Sequence, residues 1–138
     1  MSTELDHIGI AVNDLEAAVR RYEALGARVV HREHIDADGV DEVLLEVGAS
    51  YLQLVAPTEE SSPVRRFLER RGPGLHHLGL RVPDCAKALE IAKAAGLESI
   101  DATPRPGSRG TTVAFLHPRS AEGVLIELVE PPGGTEAL

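Results

Sequence analysis

Two histidines and two oxygen donors recur at matched positions in the two halves of the chain. His7 lies in the segment DHIGIAV, and His77 lies 70 positions later in the similar segment HHLGLRV. Gln53 and Glu127 each interrupt an apolar run, YLQLV in the first half and LIELV in the second. Two imidazoles, an amide oxygen and a carboxylate are a suitable ligand set for a divalent transition metal. Four such ligands leave two positions open in octahedral coordination, as a catalytic metal site requires.

Each of these residues also has an ordinary structural interpretation. A single histidine in a strand is more often a satisfied core residue than a ligand, and a Gln or Glu near a strand end is usually solvated. However, a polar group buried without a partner costs about 1–3 kcal/mol of stability. Because all four residues recur at repeat-equivalent places, the internal repeat takes priority over the local interpretation. We therefore predict metal binding by His7, Gln53, His77 and Glu127.

The hydrophobic pattern of the first half predicts the order strand, helix, strand, strand, strand. In the strand at residues 5–12, Ile8 and Ile10 alternate with His7, so His7 faces away from the apolar side. Asn13 and Glu16 resemble a capping box at the start of the helix. The three further strands are predicted at residues 27–35, 40–47 and 51–56.

The second half repeats this order after a linker that holds a short helix. Ser62 and Pro63 predict an N-cap and a first helical residue, with the helix running to about Arg71. A strand at 75–82 and a helix from Asp84 to Gly96 follow, with strands at 97–102, 111–116 and 124–130 and a Pro/Gly-rich loop at 104–110. The pattern predicts an α+β fold in one domain, 1–138: paired βαβββ modules at 4–57 and 74–131, a linker at 58–73 and a tail at 132–138.

Composition and net charge limit the kinds of molecule that we expect the protein to bind. Apolar residues make up 43% of the chain and charged residues 26%, which is typical of a globular protein. The net charge of −8 argues against a general nucleic-acid or membrane surface. One cysteine, Cys85, excludes an intrachain disulfide and suits a reducing compartment. With no secretory signal or membrane span visible, we expect a cytoplasmic protein without nucleic-acid or membrane partners.

Several segments resemble one family of enzymes. DHIGIAV, GLHH, FLHP and GVLIEL are similar to the methylmalonyl-CoA epimerases, which belong to the vicinal oxygen chelate superfamily with glyoxalase I and the extradiol dioxygenases. The resemblance covers residues 5–130. It implies curled sheets that enclose a metal cleft, with His7, Gln53, His77 and Glu127 as ligands. It also implies Co²⁺ or Mn²⁺, with Zn²⁺ as an alternative, an acyl-CoA substrate and a homodimer.

The resemblance further implies the reaction. A metal-dependent epimerase would interconvert (R)- and (S)-methylmalonyl-CoA by abstraction and return of the C2 proton through a metal-stabilised enolate. By resemblance the base is Glu42, in the segment Val40-Asp41-Glu42. From spacing alone, Asp41 and Glu46 remain alternatives. Glu127 is the second acid/base that the family implies, although a metal lowers the basicity of its own ligand.

Two other functions remain alternatives. The first is another enzyme of the same superfamily, either a glyoxalase-type isomerase or a dioxygenase. A dioxygenase would use two histidines and one carboxylate on iron, so Gln53 as a fourth ligand argues against it. The second is a metal-free protein that binds a small molecule. Such proteins usually lack the ligand set, so metal analysis of the purified protein discriminates between the two classes.

Four secondary features carry open interpretations. The basic run at residues 65–71 is interpreted as a solvated helix face or as a contact for CoA phosphates. The loop at 104–110 lies at a strand end, where it could close over a substrate. His117 either lines the cleft or shapes its loop. Cys85 is interpreted as a small buried residue, the alternative being a thiol of lowered pKa at a helix start.

Overall fold

The computed structural model describes residues 3–133 of the chain. Contacts within the chain divide it into two compact units. The first unit contains residues 7–76, and the second contains the residues up to Asp6 together with those from His77 onward. Each unit carries one helix and a four-stranded sheet in the same order, and the first unit has one additional helix.

The first unit is built on a sheet with the strand order β2-β3-β4-β1. Strands β1 and β4 are parallel, whereas β3 pairs with β2 and β4 in antiparallel fashion. Asp6 and the residues before it in β1 are assigned to the second unit. The elements are β1 (Glu4–Ala11), α1 (Leu15–Ala24), β2 (Arg28–Ile35), β3 (Val40–Val47), β4 (Ser50–Pro57) and α2 (Pro63–Arg71).

The second unit repeats this topology with the strand order β5-β8-β7-β6. Strands β5 and β8 are parallel, and β7 pairs with β8 and β6 in antiparallel fashion. The α+β class and the repeated βαβββ order are therefore confirmed. The elements are β5 (Gly74–Arg81), α3 (Cys85–Ala94), β6 (Arg105–Pro106), β7 (Thr112–Leu116) and β8 (Ile126–Glu130).

A hydrophobic core lies between the helix and one face of the sheet in each unit. In the first unit, Ala18 and Val19 of α1 pack with Ile10, Leu45 and Leu54 from three strands. The core of the second unit combines residues of α3 with residues of β7 and β8, namely Cys85, Leu89, Ala92, Ala114, Leu116 and Leu128. Fully burying a leucine contributes about 1.5–3 kcal/mol. Because side chains alternate along a strand, the opposite face of each sheet carries a different set, which includes His7 and His77.

The helix caps confirm one prediction and correct another. Ser62 caps α2 as predicted, because its hydroxyl accepts a hydrogen bond from the Val64 amide at 3.2 Å. The capping box predicted at Asn13 is wrong, since the N-cap of α1 is Asp14, whose Oδ1 accepts from the Ala17 amide at 3.0 Å. Asp84 caps α3 in the same way. Because the Asp14 carboxylate accepts from the Ala17 amide, the helix begins one position later than the capping box at Asn13 would place it.

The strand predicted at residues 97–102 is also wrong. Only Ser99 forms an isolated bridge, with Leu116, and the chain then leaves the ladder. The carboxylate of Asp101 takes the place of a backbone acceptor, accepting from the Phe115 amide at 2.8 Å and from Arg105 Nε at 3.1 Å. The edge strand β6 instead forms inside the predicted loop, where Pro106 is tolerated because an edge strand needs fewer donors.

Two further expectations concern a membrane span and the predicted C-terminal tail. Among residues 3–133, no helix has the length and apolar character needed to cross a membrane. Part of the predicted tail, residues 134–138, lies outside the described residues. The module and domain boundaries proposed above stay predictions.

Candidate functional site

The first unit buries one imidazole and one amide on neighbouring parallel strands. His7 on β1 is 3% exposed, and Gln53 on β4 is 8% exposed. Gly9 lies directly opposite Gln53 in the strand register. Residues two apart on a strand share a face, so His7 and Gln53 lie on one face with only a glycine beside the amide. No side chain therefore stands between these two polar groups at position 9.

The second unit buries an imidazole and a carboxylate in the same register. Gly79 lies directly opposite Glu127 on the parallel pair β5 and β8, just as Gly9 lies opposite Gln53. His77 and Glu127 are each 8% exposed. His77 Nε2 lies 3.3 Å from Glu127 Oε1. The structure thus brings these two predicted site residues together within one unit.

Two residues beside His77 were not singled out from the sequence. The ring of Phe115 meets the His77 imidazole edge to face, with centroids 5.8 Å apart and planes at 74°. Phe115 lies directly opposite Glu127 in the register, and the guanidinium of Arg105 stacks 5.5 Å from the Phe115 ring centroid. Phe115 therefore forms one wall for the imidazole. Its place in the segment FLHP, which carries part of the family resemblance, is the signal that could have identified it.

β3 carries three acidic residues, Asp41, Glu42 and Glu46, and of these Glu42 alone is buried. Glu42 is 1% exposed, and the Gln53 side-chain amide nitrogen donates a hydrogen bond to its carboxylate. Asp41 pairs with His34 at 2.9 Å, and Glu46 pairs with Arg28 at 3.0 Å, both in exposed positions. Asp41 and Glu46 are therefore surface ion-pair partners.

The Gln53 amide provides a test of whether these residues suit a metal ion. A carboxylate accepts hydrogen bonds only, so the amide nitrogen must face Glu42 and the oxygen must turn away. Within residues 3–133, Gln53 Oε1 is buried and has no hydrogen-bond partner. An unsatisfied buried acceptor costs about 1–3 kcal/mol, which a cation would offset. His7 in the same unit, and His77 and Glu127 in the other unit, are donors of types that suit a divalent transition metal.

The third buried carboxylate, Asp6, is held by two guanidinium groups. Arg81 Nε and a terminal nitrogen of Arg109 each donate to Asp6 from 3.0 Å. Arg109 has left-handed backbone geometry, with φ of 56°, in the 3₁₀ turn Ser108–Gly110. The ion pair offsets the strain of a non-glycine residue in that region. The loop predicted to close over a substrate is therefore fixed to β1 by a buried salt bridge that the sequence did not reveal.

Three other side chains of reactive types, Cys85, His117 and His76, have structural roles. Cys85 is fully buried, and burial is the main cause that raises the pKa of its thiol to about 11, so the interpretation as a buried core residue holds. His117 Nδ1 accepts from the Arg119 amide at 3.1 Å, which favours loop shaping. His76 packs edge to face on Phe67, with ring centroids 4.9 Å apart. None of these three contacts prepares the side chain for chemistry.

Comparison with known proteins identifies the family. Residues 6–115 match the family model described as the Glyoxalase/Bleomycin resistance protein/Dioxygenase superfamily. The chain belongs to this superfamily. Its α+β fold and its two βαβββ repeats are those expected from the resemblance to the vicinal oxygen chelate enzymes.

Within the superfamily, the similar proteins include epimerases. The Ethylmalonyl-CoA/methylmalonyl-CoA epimerase of Cereibacter sphaeroides is 36% identical over 131 residues, covering 93% of this chain and 98% of that protein. A solved methylmalonyl-CoA epimerase in complex with methylmalonyl-CoA and NH₄⁺ is 40% identical, with a TM-score of 0.91 over 95% of this chain and 96% of the other. A variant of the Streptomyces coelicolor methylmalonyl-CoA epimerase, in complex with 2-nitronate-propionyl-CoA, is 38% identical, with a TM-score of 0.93 over 97% and 98% of the two chains. These relatives confirm the predicted resemblance and the expectation of an isomerase-class enzyme.

Proposed function

We propose that the chain is a metal-dependent methylmalonyl-CoA epimerase, which interconverts the (R) and (S) forms by removing and returning the C2 proton. The observation that carries the proposal is the hydrogen bond between Gln53 and the buried carboxylate of Glu42. It places a proposed base beside a proposed ligand. The similarity to epimerases, one of them in complex with methylmalonyl-CoA, supports the substrate class.

We assign His7, Gln53, His77 and Glu127 as the ligands of one divalent ion, Co²⁺ or Mn²⁺, with Zn²⁺ as an alternative. The matched registers of the two units and the unsatisfied Gln53 Oε1 support this assignment. Bound there, such an ion supplies Lewis acidity to the carboxylate and thioester oxygens of the substrate, which favours the enolate form.

Glu42 is the proposed general base. Its carboxylate is 1% exposed, so bulk water competes little for it. The Gln53 amide fixes one of its oxygens, and directly opposite across the strand pair lies the apolar Val55. Fixed orientation in a water-poor environment favours transfer of a proton from C2 to the carboxylate. This position distinguishes Glu42 from the exposed Asp41 and Glu46.

Epimerisation also needs a proton donor on the opposite face of C2, and we assign this role, which the family resemblance implies, to the oxygen of Glu127 that does not bind the ion. Within residues 3–133, Asp6, Glu42 and Glu127 are the carboxylates with the lowest exposure, at 8% or less. Asp6 is held by two guanidinium groups, so it is unsuited to proton transfer. In the second unit, the position that corresponds to Glu42 is Val113. Glu42 lies opposite Val55, and Val113 lies opposite Val129 in the matching register. The repeat therefore does not duplicate the base.

Substrate contacts and assembly complete the proposal. The loop at 104–110 is proposed to meet the acyl-CoA through backbone amides of its serine and glycines, since Arg109 anchors the loop at Asp6. The homodimer proposed from the family resemblance is tested by light scattering of the purified protein.

The proposed function is tested by exchange of the C2 proton of methylmalonyl-CoA with deuterium from the solvent. The metal-loaded protein is expected to catalyse exchange, and a chelator should abolish it. His77→Ala should lose bound metal and exchange together, because it removes one of four ligands. The matched control is His76→Ala. The His76 imidazole is next to His77 in the chain but packs on Phe67. A His77→Ala protein that stays metal-loaded and active would refute the ligand assignment.

A further inference from the structure

A second group of ligand-type side chains lies on the sheet of the first unit. His31, Glu33 and Glu42 each offer one ligand atom, and these atoms all lie within 4.8 Å of one another. His31 Nε2 is 2.8 Å from Glu33 Oε1. None of the three belongs to the metal ligands proposed above, although Glu42 is hydrogen-bonded to one of them through Gln53.

The strand register builds this group. Glu33 on β2 lies directly opposite Glu42 on β3, and His31 lies opposite Leu44 two positions along. Residues two apart on one strand point to the same face, so the imidazole and both carboxylates converge there. His31 and Glu33 have side-chain exposures of 32% and 36%, whereas Glu42 is buried. The group therefore has a buried end and an end open to solvent, through which an ion can enter.

Charge points to a cation at this place. Like charges directly opposite each other on neighbouring strands are destabilising, and burial of one of them increases the repulsion. Glu33 and Glu42 form such a pair of acidic side chains, one on β2 and one on β3. A divalent ion would cancel both. One imidazole and two carboxylates are three suitable ligands for a transition metal, with a fourth position left for water.

We propose that His31, Glu33 and Glu42 bind a second divalent transition-metal ion, and that this ion inhibits the enzyme. The inhibitory part rests on the proposed function, in which Glu42 takes the C2 proton. An ion bound by the Glu42 carboxylate would occupy the oxygens that receive the C2 proton, so an occupied second site blocks the base. The protein would then be activated by the first equivalent of metal and inhibited by the second.

The site is tested without substrate, with Co²⁺ as the only metal probe. Equilibrium dialysis of the full chain, with visible absorption of the bound Co²⁺, is expected to give two equivalents for the wild type. His31→Ala should retain the first equivalent and weaken the second by more than about tenfold. His34→Ala is the matched control and should keep both, because His34 lies on the other face of β2 and contacts Asp36 and Asp41.

Activity is then measured over the same Co²⁺ range. Wild-type exchange should rise with the first equivalent and fall with the second, whereas His31→Ala should be activated without the later fall. A wild-type protein that binds one equivalent, or a second equivalent that survives His31→Ala, would overturn the site whatever the activity. A second equivalent that depends on His31 but leaves exchange unchanged would overturn the inhibition and the role proposed for Glu42, without affecting the site.

Discussion

Gln53 connects the two roles proposed for the catalytic groups. Its amide nitrogen donates to Glu42, and its amide oxygen is the buried acceptor proposed as a metal ligand. One side chain thus orients the base and contributes to the ion. The corresponding residue in the second unit is Glu127, and its carboxylate has no N–H group to donate a hydrogen bond. The amide is therefore specific to the unit that carries the base.

This double role predicts different effects for two substitutions at one position. Gln53→Leu removes the oxygen and the donor, so both Co²⁺ affinity and kcat should fall. Gln53→Glu keeps an oxygen for the ion but places a second carboxylate beside Glu42. It should therefore retain Co²⁺ while kcat falls by more than about tenfold. Dialysis and steady-state kinetics measure the two effects, and parallel loss of metal in both variants would contradict the double role.

Helix starts and loop anchors position the site from a distance. α1 and α3 are both capped by an aspartate that accepts a hydrogen bond from the backbone amide three residues later. The turn Ser108–Gly110 is anchored by the ion pair from Arg109 to Asp6, which spans 103 positions of the chain. Breaking a buried pair of this kind by removing one partner costs about 3–5 kcal/mol. Such anchors keep the strands and loops around the site in register.

The cap of α1 gives a direct test of the corrected helix boundary. Asp14→Ala should lower the free energy of unfolding by about 1 kcal/mol, because the Ala17 amide loses its acceptor. Asn13→Ala, one position earlier, should change it by less than about 0.5 kcal/mol. Urea denaturation measures both values. A larger effect at Asn13 than at Asp14 would restore the capping box inferred from the sequence.

Across the whole molecule, the internal repeat made the fold and the positions of the two buried polar pairs predictable. The 70-position offset between His7 and His77 identified the equivalent first strands, and the apolar runs around Gln53 and Glu127 identified the strands parallel to them. Repetition also limits what can be predicted, because the units differ where function does. Val113 occupies the place of Glu42, so the base could be assigned only by resemblance until burial distinguished it from Asp41 and Glu46.

The remaining features depend on contacts that periodicity does not encode. The pairing of Asp6 with Arg109 joins residues far apart in the chain, and charge alone does not select partners over such separations. The strand predicted at 97–102 failed because the Asp101 side chain replaced a backbone acceptor, a local choice that an alternating pattern cannot show. The group formed by His31, Glu33 and Glu42 likewise required the register of β2 against β3.

Deuterium exchange at C2 of methylmalonyl-CoA by metal-loaded Glu42→Ala tests the central claim most directly. The variant should keep the activating ion, because Glu42 is not among the four ligands proposed for that ion, and its exchange rate should fall by at least about 100-fold. Glu46→Ala, on the same face of β3 but exposed and paired with Arg28, should exchange at the wild-type rate. Exchange at the wild-type rate by a metal-loaded Glu42→Ala protein would contradict the mechanism.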